Sequence, residues 1–260
     1  MRLLRAELLK LGTTRTGWLL TAVTLVVWAG ALLVNTLLFN GEVQADPTAL
    51  LLAQTNFYTT GQLAGMTVAL VLGTVVITAE FQYRTALPTF LVSPGRTAVI
   101  LAKGAAAALG GLALWALTTA LNLALGPLVL ADGMAAAALH RPEVWTAVAL
   151  NGATFAVWPV LGVGLGALVR HQAGAAAAAL GINFAGTLAL VAGLAGLTEL
   201  VGHRALEWAT LIPSLASFLL VFGVPDPGLP PRWVAGVVLV GYAVAALALG
   251  TALVRRRDLG

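Results

Sequence analysis

Residues 233–257 read WVAGVVLVGYAVAALALGTALVRRR, and this stretch decides the class of fold. No charged side chain occurs in it until Arg255, Arg256 and Arg257 follow one another at its end. A helix needs about 20 apolar residues to cross a hydrocarbon core ~30 Å thick, and this run suffices. It is apolar on every side, whereas a membrane β-strand alternates and is half as long. Lipid offers the backbone no hydrogen bonds, so a spanning helix is the expectation.

Working outward, five more runs of the same kind occur, at 17–39, 59–79, 104–130, 144–169 and 173–198. Composition agrees. Of 260 residues, 60% are hydrophobic and 9% charged, against ≈ 45–50% and ≈ 25% in a soluble domain. So few charges could not cover a water-soluble surface, and disordered chains are charge-rich. The expected fold is an all-α integral membrane protein with six transmembrane helices in one domain, 1–260. The first run is too long for the core of a signal peptide and lacks a small-x-small cleavage site, so it is expected to be retained. The chain has no cysteine, which excludes disulfides and thiolate metal sites.

Charge gives the orientation. All but Arg141, Arg204 and Arg232 of the 14 Lys and Arg residues fall on one side of the six runs. That side holds the N-terminus, the connection between the second and third runs, Arg170 and the C-terminal arginines. Most acids lie opposite: Glu42, Asp46, Asp132, Glu143, Glu199, Glu207 and Asp226. The positive-inside rule then puts both termini in the cytoplasm of a plasma-membrane protein. The net charge of +4 is thus a topology signal, and nucleic acid is not an expected partner. Trp18, Tyr58, Trp145 and Trp233 stand at run ends, where amphipathic rings favour the headgroup layer. Arginine far outnumbers lysine and alanine abounds, as in bacterial genomes rich in G and C.

Three segments are not simple spans. Residues 1–12 read MRLLRAELLKLG, with Leu3, Leu4, Leu8, Leu9 and Leu11 at helical spacing and Arg2, Arg5 and Lys10 largely off that stripe. This pattern suits a helix lying in the interface. In the connection after the second run, Thr85 can cap a short helix and Pro88 is tolerated in its first turn. Leu87, Phe90 and Leu91 give it an apolar face, and Ser93, Pro94 and Gly95 end it. A partner protein or the membrane surface must cover that face. Residues 199–232 carry an apolar run broken by Pro213 and followed by Pro225, Pro227, Pro230 and Pro231. Such a run can enter the bilayer and return only against protein or a water-filled cavity.

Chemistry is mostly missing. No GxxxxGK[ST] phosphate loop, HExxH or GxSxG occurs. His140, His171 and His203 lie in separate loops, so neither a metal nor a cofactor is expected. No carboxylate lies deep in a run; Glu80 stands at a run end. The deep polar groups are Asn35, Asn122, Asn151 and Asn183, which either glue helices together or meet a substrate. Trp28, Trp115 and Trp158 fall equally deep and either pack or line a path. Gly61/Gly65 and Gly162/Gly166 have the spacing of close helix contacts.

On ELLKLGTTRTGWLL (7–20), EFQYRTALPTFLVSPGR (80–96) followed by Ala102 and Lys103, and LIPSLASFLL (211–220), the chain resembles the membrane-spanning permease subunit of ABC transporters of the ABC-2 type. The middle stretch keeps the family's Glu80, Thr85, Thr89, Phe90, Leu91, Ser93, Pro94, Arg96 and Lys103. It has Gln82 where a basic residue is common and Arg84 where glycine is common. The resemblance implies an interfacial helix over 1–16, a cytoplasmic coupling segment over 80–103 and re-entrant external helices within 199–232. It implies a separate ABC ATP-binding subunit and a second permease copy, identical or paralogous, as partners. Leu87, Phe90 and Leu91 would then dock on the ATPase, with Glu80, Arg84 and Arg96 as polar contacts around them.

The expected function is ATP-driven export of a hydrophobic or amphipathic compound, with ATP hydrolysed on the partner chain and none on this one. The candidate substrate path is Asn35, Asn122, Trp115, Asn151 and Trp158. An ion-gradient-driven carrier or channel, or a non-transporting membrane partner of an ATPase, would have the same six runs.

Overall fold

The computed structural model describes residues 2–38, 47–82, 95–130, 134–169, 171–201, 203–223 and 230–256. Among the described residues every element is helical. In chain order they are α1 (Arg2–Thr13), α2 (Arg15–Leu38), α3 (Pro47–Tyr58), α4 (Gln62–Gln82), α5 (Arg96–Val129), α6 (Met134–Leu139), α7 (Pro142–Leu168) and α8 (Gln172–Gly181). A π-helical turn (Ile182–Gly186) joins α8 to α9 (Thr187–Val201). A 3-10 helix (His203–Leu211), α10 (Pro213–Phe222) and α11 (Arg232–Arg256) complete the chain. Six helical stretches are long and apolar enough to cross a membrane, as in a multi-pass membrane protein.

The centre of the bundle is the pair α4 and α7, flanked by α5 and α11 against α7. The apolar window that includes α4 is 72% buried, that of α2 11% and that of the fifth span 17%. The central helices are therefore shielded by protein, while α2 and α8–α9 turn their apolar sides outward. Leu188, Phe184, Ile182 and Leu190 are all exposed.

Small residues let the centre close up. A Cβ on Gly73 of α4 would run into the Pro159 carbonyl of α7, and one on Gly162 into the Leu70 carbonyl. Gly65 lies under the Phe155 ring, and Gly166 against Thr74 and Ile77. Between helices of equal apolarity to lipid, this close approach is what drives association. Pro159 sits inside α7 and cannot donate to the carbonyl of Phe155 one turn back. Gly111 of α5 packs on that same carbonyl, where a side chain would collide.

Several expectations shift. The second span begins with a helix, α3, in residues taken as loop, and a turn at 59–61 leads into α4. Gly61 has φ +86°, so it makes the turn as well as packing closely against Trp28 of α2. Tyr58 is 1% exposed, with its ring edge-on to Phe57 and its hydroxyl donating to the Ala135 carbonyl at 3.3 Å. It is an interior residue, whereas Trp18, Trp145 and Trp233 do lie exposed. α5 starts at Arg96, ahead of the apolar run at 104–130, so Lys103 lies two turns inside the helix.

Glycine position should govern tolerance. Gly73→Val is expected to destabilise by about 2 kcal/mol or more through overpacking. Gly193→Ala, where a Cβ meets nothing within 4 Å, is expected to be neutral or stabilising by up to about 1 kcal/mol. Thermal unfolding of the two variants in detergent measures the contrast.

Candidate functional site

α1 turns a charged face inward. Leu4, Glu7 and Leu11 follow one another at helical spacing toward the bundle, and Glu7 is buried while Leu9 is 58% exposed. α1 packs chiefly on α5. There Lys103 of α5 points at it from a site where it is fully buried. Its ammonium donates to Glu7 Oε2 at 2.8 Å and to the Val76 carbonyl at 3.2 Å, and it lies 2.9 Å from Glu80 Oε1. An ammonium has three protons, and these are three acceptors. Lys10 closes the ring from the solvent side, 2.8 Å from Glu7 Oε1 and 3.2 Å from Glu80 Oε1.

The result is a charge-neutral cluster of Glu7, Lys10, Glu80 and Lys103 that joins α1 to the ends of α4 and α5. It uses both lysines of the chain. The compact ammonium of Lys103 places its donors toward three acceptors in different directions. Burial alone would raise the Glu7 carboxyl. The Lys103 charge and the hydrogen bonds from Lys10 and Lys103 outweigh it and hold Glu7 below its ordinary value. Burial likewise works to lower Lys10, and its bonds to Glu7 and Glu80 raise it overall.

Of the expected docking residues, Glu80 is 5% exposed and its carboxylate is engaged in this cluster. Arg84, Leu87, Phe90 and Leu91 fall in 83–94, outside the described residues, and the side chain of Arg96 is likewise outside them. The cluster stands at both edges of that connection. Glu80 precedes it by less than a turn of α4, and Lys103 follows it on α5.

The other end of α4 carries a cavity of ≈ 560 Å³, about 27 Å away along the helix axis from Gln62 to Glu80. Its polar lining includes Asn35, Asn56, Gln62, Thr187 and Ser214, and its apolar lining includes Met66, Phe184, Phe218 and Phe222. Asn35 donates to Thr60 at 2.8 Å and accepts from Asn56 at 3.3 Å. Behind the wall, Asn183 in the π turn donates to Thr67 of α4 at 2.9 Å and accepts from Ser214 of α10 at 2.9 Å. One buried amide thus ties three elements, and a π turn is a frequent companion of functional sites.

Only Asn35 of the expected substrate path lines this cavity. Asn122 accepts from the Trp28 indole at 2.8 Å and donates to the Tyr58 carbonyl at 3.2 Å, which makes it a helix-packing group. Trp115 donates to the Val148 carbonyl at 3.1 Å, and Trp158 to Ser217 at 2.8 Å. Asn151 is buried and accepts from Thr154 of its own helix. The cavity's aromatic residues were not foreseen. Phe218 and Phe222 stand in or next to the quoted run 211–220, but nothing in their spacing places them beside Asn35.

Removing one member of the cluster should leave its partners buried and uncompensated. Lys103→Met is expected to cost about 3–5 kcal/mol. Glu80→Gln added to it should recover part of that loss, as thermal melts in detergent would show. The cluster also sets a pH dependence. Glu7, held below 4.5, contributes stability above that value and loses it as pH falls through its depressed value. Lys10, raised above 10.5, contributes below that value and loses it as pH rises through its raised one. Hydrogen exchange of the α1 amides, corrected for intrinsic rates, should stay protected through neutrality and open on acidification below 4.5.

No family model matches the chain, and no curated protein is significantly similar to it.

Proposed function

We propose that the chain is the membrane-spanning permease subunit of an ABC transporter of the ABC-2 type, exporting a hydrophobic or amphipathic compound. In this reading both termini are cytoplasmic. α1 lies at the cytoplasmic interface, residues 80–103 are the cytoplasmic coupling segment, and the short helices within 199–232 re-enter from outside. A separate ATP-binding subunit and a second permease copy complete the transporter.

The observation that supports it most is the charge cluster. It ties α1 to the end of α4 and to α5, the two helices that the connection links in sequence, so these helix ends move together. α4 is central and buried, and its far end forms the wall of the cavity. The amides, hydroxyls and aromatic rings there suit an amphipathic compound, since a ligand pocket combines apolar walls with a few placed polar groups. ATP binding on the partner would bias the two permease states by its differential affinity for them.

The buried Glu80 and Lys103 are the one feature that favours an ion-coupled carrier instead. They pair with each other, and Lys103 lies only about 10 Å from the end of α5. Coupling carboxylates in carriers sit near the midplane.

Gentle purification from the native membrane, with and without Phe90→Asp, tests the reading. The expected result is a co-purifying protein with a GxxxxGK[ST] loop that is lost in the variant. Intact, abundant chain without any ATPase would overturn it. Phe218→Ala is expected to lower export about tenfold or more while the ATPase stays bound, as flux in inverted vesicles would report.

A further inference from the structure

A second crevice lies beside the charge cluster, between α1, α2 and α4, with a volume of ≈ 500 Å³. It is built along one axis. At one end stand Lys10, Thr14, Arg15 and Thr16, where α1 passes into α2 and beside the end of α4. From there Leu20 leads inward along α2, and Val76, Val75 and Leu72 lead inward along α4. The polar end is therefore level with the ends of the spans, and the apolar end reaches into them.

The charges of the lining do not cancel. Glu7 and Glu80 are matched by Lys10 and Lys103, and Arg15 is left over. Arg15 has no acidic partner among the described residues. The crevice thus offers one surplus positive charge and two threonines at its mouth, above an aliphatic groove. An aqueous anion would fit the mouth but leave the groove uncovered. A neutral lipid would fill the groove but leave Arg15 unmatched.

We propose that this crevice is a binding site for an anionic phospholipid. The phosphodiester lies against Arg15 and Lys10, and one acyl chain runs along Leu20, Leu72 and Val76. Basic pockets between spans are where lipid headgroups are recognised by charge. The occupant would bridge α1, α2 and α4 at the level of the cluster. The apolar window of α2 is only 11% buried, so the lipid would add to the contacts that hold it to the bundle. The proposal does not depend on an ATPase partner and stands or falls separately from the transporter reading.

The test uses the full chain, purified in detergent and stripped of lipid. Thermal unfolding is followed with dioleoyl-phosphatidylglycerol, with dioleoyl-phosphatidylcholine and with inorganic phosphate. The expected result is a rise in midpoint of about 5 °C with phosphatidylglycerol at saturation, and little with the other two. Arg15→Gln, at an exposed position, should abolish most of that rise while the lipid-free midpoint stays put. Val75→Trp, which fills the groove, should also abolish it. If that variant does not fold, Arg15→Gln decides alone. An equal rise with phosphatidylcholine, an equal rise with phosphate, or an undiminished rise in Arg15→Gln would each overturn the proposal.

Discussion

Two carboxylates and a buried ammonium, closed on the solvent side by a second ammonium, set the geometry of one end of this bundle. Taking an ammonium such as that of Lys103 out of water costs several kcal/mol even after relaxation. The cost is tolerable because each of its three protons meets an acceptor and two of those acceptors are charged. The same condition makes the cluster exacting. No member can leave without stranding the others, so α1, the end of α4 and the start of α5 keep one arrangement or lose it together. An apolar contact of similar area would have allowed α1 to slide, since aliphatic surfaces have no register of their own.

The rest of the bundle answers to a different force. Between α4 and α7 nothing is charged, and association rests on backbones brought close by Gly73, Gly162 and Gly166. Hydrogen bonds are spent sparingly there, at places where they fix one helix against another. Trp28 to Asn122, Trp158 to Ser217 and Asn183 to both Thr67 and Ser214 are the examples. The molecule thus has an electrostatic end and a hydrogen-bonded end, with α4 running between them. A helix buried along most of its length links the two ends directly.

The run at 203–222 illustrates how proline shapes such a chain. Pro213 occupies the first turn of α10, where its missing N–H costs nothing. The preceding 3-10 helix ends just before it, so the apolar run is divided into two short helices instead of forming a seventh span. α10 is then held by side chains of three helices. Gln62 of α4 donates to the Ser217 carbonyl and Trp158 of α7 to its hydroxyl, while Leu220 packs beside Ala235 and Leu239 of α11.

Hydrophobicity is a property of the residue, so the sequence by itself determined the class of fold: six long apolar helices and the polar segments between them. Gly162 and Gly166 were legible as a close-packing face for the same reason, because only a missing side chain permits it. What a residue faces is not local, and here the sequence was silent or misleading. Lys10 looked like the polar side of a surface helix, and nothing marked Glu7 or Lys103 as its neighbours. Only the tertiary structure brought them to Glu80, because an ion pair across 96 positions of sequence leaves no periodicity behind. Asn35, Asn122 and Asn151 were indistinguishable as deep amides. Their neighbours decided that Asn122 would be consumed by Trp28 and Tyr58, and that Asn35 would line a cavity with Phe184, Phe218 and Phe222.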